Sequence, residues 1–160
     1  MSSFIAPART TSAGAPGAGA TILNDGWFPD IDINDLREST KLDGTVTAER
    51  LRRAVIEAIS TVNNDLAEWQ ATQSAAGHTD LASVPAKKVD GVSVQVSRYV
   101  RAVYSLTHAD ITEKYAGYDS TKSGGQKAEN LEDTVCTSRR NARWAMNDIR
   151  GIRRSTIDLI

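Results

Sequence analysis

A chain of 160 residues with 40% hydrophobic and 24% charged side chains has enough apolar material for one domain with a sizeable core. Its net charge of −1 excludes the global basic field of a dedicated DNA-binding domain, and its single cysteine excludes an internal disulfide. No apolar run approaches the ~18 residues that a membrane-spanning helix needs.

Residues 1–26 are rich in Ala, Gly, Ser, Thr and Pro, with only Arg9 and Asp25 charged. Such a segment buries too little apolar surface to offset its ordering entropy, so a flexible arm is expected. It lacks the basic-then-apolar pattern of a secretory signal, which predicts a protein that is cytosolic when made. Order is expected to begin at Trp27-Phe28-Pro29, because proline keeps Phe28 out of the α region. The two aromatics have two readings: they cap the chain's own core, or they dock on a neighbouring subunit. Asp30 and Asp32 are N-cap candidates for a short helix through Leu36 to about Lys41.

A long helix follows the Asp43-Gly44 turn, with Thr47 as N-cap and Gly77 as the residue after its end. Leu51, Val55, Ala58, Ile59, Val62, Leu66 and Trp69 recur at spacings of three and four, while Arg50, Arg53, Glu57 and Glu68 take the other side. Residues 78–91 read as a connector containing Pro85 and Asp90-Gly91. Val92, Val94 and Val96 alternate as a strand would, but Val96, Tyr99, Val100, Val103, Tyr104, Leu106, Thr107 and Ile111 continue as a wide helical face. That width predicts a central helix with two neighbours, capped by Asp90 or Ser93.

The last helix, read from Gly124 to about Gly151, carries two stripes. Leu131, Val135, Ser138, Ala142, Ala145, Ile149 and Ile152 make one apolar face. Arg139, Arg140, Arg143, Arg150 and Arg154 gather on its flank, and Trp144 points nearly opposite the apolar centre. Residues 139–154 hold six arginines against one acid, Asp148, so the row does not neutralise itself within the helix. Arginine suits bidentate contacts to carboxylate or phosphate, which predicts a partner for this stripe. Beyond Gly151 an extended tail, 152–160, alternates Ile157 and Leu159 and finishes on Ile160, a pattern that suits a strand added to a partner.

Catalytic chemistry is scarce. His78 and His108 have no second ligand at metal-binding spacing, and no Gly-rich phosphate loop is present. Cys136 with His108 forms no recognised nucleophile–base motif, so Cys136 reads as structural. The expectation is a non-enzymatic protein with no cofactor. The arginines leave open a non-specific nucleic-acid-binding helical protein as the alternative function.

Several motifs occur in order: Trp27-Phe28-Pro29-Asp30-Ile31-Asp32, Glu49-Arg50-Leu51-Arg52, Asn63-Asn64-Asp65-Leu66-Ala67-Glu68-Trp69 and Ala76-Gly77. Leu81, Val84-Pro85-Ala86, Asp90-Gly91, Tyr99 with Arg101-Ala102-Val103, Arg143-Trp144-Ala145 and Ile149-Arg150-Gly151 complete the series. From Trp27 onward this series resembles the head-completion (GpL) family of P2-like tailed bacteriophages, which are head–tail connector proteins. The resemblance implies a virion protein, assembled in the host cytoplasm, that joins the portal vertex after DNA packaging and retains the genome. It also implies a ring, typically twelvefold, that presents a platform to the tail or neck protein while genomic double-stranded DNA passes through its lumen. The expected fold is mainly α: about three long helices and a short N-terminal one in residues 27–151. On this reading Trp27, Phe28, Trp144, the arginine row, Ile157, Leu159 and Ile160 are subunit or portal contacts.

Overall fold

The computed structural model describes residues 20–40, 42, 46–116 and 124–153. The chain is mainly α, with a short helix α1 (Ile33–Thr40) and three long helices, α2 (Ala48–Ala75), α3 (Val94–Ala116) and α4 (Gly124–Arg150). Two small antiparallel ribbons precede α1 and α3: β1 (Thr21–Ile22) with β2 (Ile31–Asp32), and β3 (Lys88–Val89) with β4 (Val92–Ser93).

Structure begins ahead of the boundary expected at residue 26. Ile22 lies opposite Ile31 and both are buried. The turn between them is built by side chains: Asp25 Oδ1 accepts from the N–H groups of Trp27 (3.0 Å) and Phe28 (2.9 Å), and Gly26 adopts a positive φ of 87°. Composition alone hid this because the ordering comes from two local polar residues, Asn24 and Asp25, and not from an apolar run. Of the two cap candidates, Asp32 takes the role for α1, accepting from Asn34 (2.7 Å) and Asp35 (3.3 Å) N–H. Asp30 instead accepts from the backbone of Asn24.

Helix α2 matches its sequence reading closely. Thr47 caps it, and Leu51, Val55, Ala58, Ile59, Val62 and Leu66 are buried, with Ala54 added. It ends in a Schellman motif: Gly77 N–H donates to Ser74 O and His78 N–H to Gln73 O, with Gly77 at φ 94°. The connector then forms a 3₁₀ turn, Leu81–Ser83, closed by a reciprocal capping box between Asp80 and Ser83. Asp90 and Gly91, both at positive φ (51° and 76°), join β3 to β4 as a two-residue hairpin of the type Asp-Gly favours.

Helix α3 is central, packing on α2 along one side and more extensively on α4 along the other. The α3–α4 seam is lined by small residues, Ala102, Ala109, Ala142 and Ala145, all buried, which lets the two backbones approach. Ser93 does not cap α3 with its side chain, since its buried Oγ has no hydrogen-bond partner. The helix start is held by Val94 N–H on Lys87 O. Both α2 and α4 run antiparallel to α3: Asn63 of α2 meets Tyr99, and Ser138 and Ile149 of α4 meet His108 and Gln95. On α4, Val135, Ser138, Ala142, Ala145 and Ile149 are buried as expected, together with Met146. Ile152 is 50% exposed, because a second Schellman turn at Gly151 carries the chain off the helix before it can reach the core.

Candidate interaction surface

Residues 24–28, α2 and α3 converge on one aromatic and amide cluster. Phe28 stacks on Tyr99 (4.7 Å between centroids, 14°), and Trp27 meets Phe28 and Trp69 edge-on at 4.8 and 5.9 Å. Asn24 Nδ2 donates to the Tyr99 hydroxyl (2.8 Å), that hydroxyl to Asn63 Oδ1 (2.6 Å), and Asn63 Nδ2 back to Asn24 Oδ1 (2.9 Å). The ring of three hydrogen bonds satisfies polar atoms that would otherwise be costly to bury. Burial pushes the Tyr99 phenol far above the ordinary tyrosine range, so it stays a neutral donor.

This cluster corrects one expectation. Trp27 and Phe28, read as candidates for docking a neighbour, are 9% and 2% exposed and belong to the chain's own interior. The indole N–H of Trp27 donates to His78 O and its carbonyl accepts from Leu81 N–H, which fastens the connector after α2 to the N-terminal segment. Aromatic pairs so placed bury most of their area inside the subunit and leave little for a partner. Much of the motif series that carries the family resemblance (Trp27, Phe28, Asn63, Trp69, Tyr99) is therefore a lock on the fold.

The arginine row divides. Arg139 pairs with Glu113 of α3 (2.5 Å), and Arg150 pairs with the carboxylate and carbonyl of Asp65 on α2. Sequence spacing within α4 missed these acids because they arrive from neighbouring helices. Arg140 and Arg143 face outward. Arg140 lies over the Trp144 ring with its guanidinium carbon 5.0 Å from the centroid, and Arg143 is exposed. Trp144 is half-buried and lies outside the main core cluster. Arg154, Ile157, Leu159 and Ile160 fall outside the described residues.

A second surface feature is a groove of about 670 Å³ over α3, between the end of α1 and the middle of α4. Val92, Val96, Val100 and Tyr104 line it at four-residue intervals, with Ser39 and Thr40 on one wall. At its far end His108 Nδ1 lies 3.0 Å from Ser138 Oγ, and burial lowers the histidine's pKa. His108 thus pairs with a serine, while Cys136 is exposed rather than packed. Among the described residues there is no cluster of three or more potential metal ligands, and no helix is long and apolar enough to cross a membrane.

Comparison with known proteins adds the family. The profile of the phage head completion protein (GPL) family matches residues 22–160. The chain is similar to the head completion/stabilization protein of Escherichia phage P2, with 38% identity over 139 residues, 87% of this chain and 82% of that protein. No solved structure matches. A profile match over nearly the whole chain, with a relative aligned along most of its own length, places this chain in the phage head completion protein (GPL) family.

Proposed function

We propose that the protein completes the phage head as a structural subunit of the head–tail connector. It joins the portal vertex after DNA packaging, closes into a ring, retains the genome and offers the tail its platform. Family membership along residues 22–160 is the observation that carries this reading. The outward flank of α4 supports this reading as a contact surface. A cyclic ring uses a heterologous interface, so each subunit needs two unlike surfaces. The outer flank of α4, with Arg140, Arg143 and Trp144, is one of them in this reading, and the tail with Arg154, Ile157, Leu159 and Ile160 meets the portal or an adjoining copy. Repetition around a closed ring compensates for a small contact per subunit by raising effective concentration.

The test is Trp144→Ala. The variant subunit is expected to keep its helical circular dichroism and an unfolding free energy within about 1 kcal/mol of the parent, since the residue lies outside the main core. Phage carrying it should accumulate heads that package DNA and then lose it. Normal titres of stable particles would remove α4 from the interface.

The row of arginines gives the nucleic-acid reading its one supporting observation. A salt titration separates the two roles: affinity for free duplex DNA that falls steeply with log salt favours phosphate binding. A connector subunit is expected to bind free DNA weakly at every salt concentration.

A further inference from the structure

We propose that the groove over α3 is the seat of this chain's own N-terminal arm, residues 1–19, with Phe4 and Ile5 as the anchoring side chains. The proposal is independent of the role in the virion. Proximity is the first argument. The arm leaves the described fold at Ala20, whose carbonyl accepts from Ile33 N–H at 2.8 Å. Next to that point, Asp32 O and Asp35 Oδ2 both accept from the hydroxyl of Tyr104, a groove-lining residue. Thr40, on the groove wall, is one short helix away, about 12 Å at 1.5 Å per residue. Phe4 precedes Ala20 by 16 residues, and such a stretch reaches up to about 50 Å when extended, so the arm spans the groove with slack. The entropic cost of closing a loop of this length grows only slowly with length.

Chemistry is the second argument. Val92, Val96 and Val100 form a continuous apolar strip, and Val92 is 46% exposed although it adjoins the core helix. Phe4 and Ile5, with Met1, are the large apolar side chains of an arm otherwise rich in small residues, and Arg9 is its one charged side chain. Arg101 and His108 are the basic side chains among the described residues lining the groove, beside the apolar strip. The hydroxyls of Ser39 and Thr40 donate to Leu36 O and that of Ser97 to Ser93 O, which leaves their oxygens as acceptors for the N–H groups of an extended peptide.

Thiol labelling of the full-length chain tests this. In a Cys136→Ser background, Val100→Cys places a single reporter in the groove, and Ile56→Cys on α2 serves as an exposed control. Replacing both anchors (Phe4→Ser, Ile5→Ser) should speed labelling at Val100→Cys about tenfold, as expected of a site covered roughly 90% of the time, and leave Ile56→Cys unchanged. Val96→Cys gives a second reporter should Val100→Cys fail to fold. Phe4→Cys with Val100→Cys should form a disulfide within the monomer under mild oxidation. Equal labelling rates with and without the anchors would overturn the proposal. So would protection that rises with protein concentration, or a disulfide found only in dimers, since either would make a second copy the occupant.

Discussion

Tyr99 presents its ring to Phe28 and its hydroxyl to two asparagines, so the same residue joins an apolar contact to a polar one. Tyr99→Phe keeps the stack but leaves Asn63 Oδ1 and Asn24 Nδ2 without that partner. A loss of about 1–3 kcal/mol is expected in urea unfolding, with an unchanged m-value; a smaller change would mean that water replaces the hydroxyl readily. His108 makes a pH-dependent contribution. Its folded-state pKa lies below the ordinary 6.5, so between those two values the unfolded chain binds a proton that the native chain does not. Its contribution is fully present above about pH 6.5 and is lost as pH falls through the window beneath. The melting temperature of wild type should therefore drop more steeply than that of His108→Gln on acidification below pH 6.5; parallel profiles would exclude the histidine. At this scale the sequence was legible in part. Thr47, Asp32 and Gly77 announce their capping roles through local chemistry, whereas nothing near Trp27 in sequence says that His78 and Leu81 will receive it.

Helices were easier to read than their partners. The period of α2 and α4 assigns each a buried face from spacing alone, but the acids that neutralise Arg139 and Arg150 sit on α3 and α2. A charge row judged within its own helix looks uncompensated whenever its counterions come from elsewhere in the fold. The ribbons were illegible for a related reason: strands of two residues show no period, and only Asp90-Gly91 marks one of them. The Arg150–Asp65 link crosses from α4 to α2, a pair of helices with otherwise slight contact. A double-mutant cycle using Arg150→Ala and Asp65→Ala should give a coupling below about 1 kcal/mol, because both side chains retain solvent contact. A larger value would show that the pair governs how α4 sits on α2.

For the whole subunit, Trp27 and Phe28 serve folding, being buried in the chain's own interior, whereas Trp144, half-buried and outside the main core cluster, is the aromatic we propose for assembly. Shortening the chain by residues 155–160 removes Ile157, Leu159 and Ile160 without touching the described core. We expect a folded subunit with unchanged circular dichroism and phage heads that leak DNA; filled, stable heads would assign the tail no part in portal contact. The bundle also has a direction. The N-termini of α2 and α4 open toward one end with the C-terminus of α3, while the far end gathers the two remaining C-termini around the start of α3. Peptide dipoles of two helices aligned against one do not cancel, so the folded chain is electrically lopsided along its length. Arg98, donating to Asp148 O, and Gln95, donating to Ile149 O, quiet the carbonyl-rich end locally. Copies arranged cyclically all share one orientation, so the leftover vectors add along the rotation axis where that axis follows the helices. The two rims of such an annulus would then differ in potential, giving the assembly a built-in top and bottom.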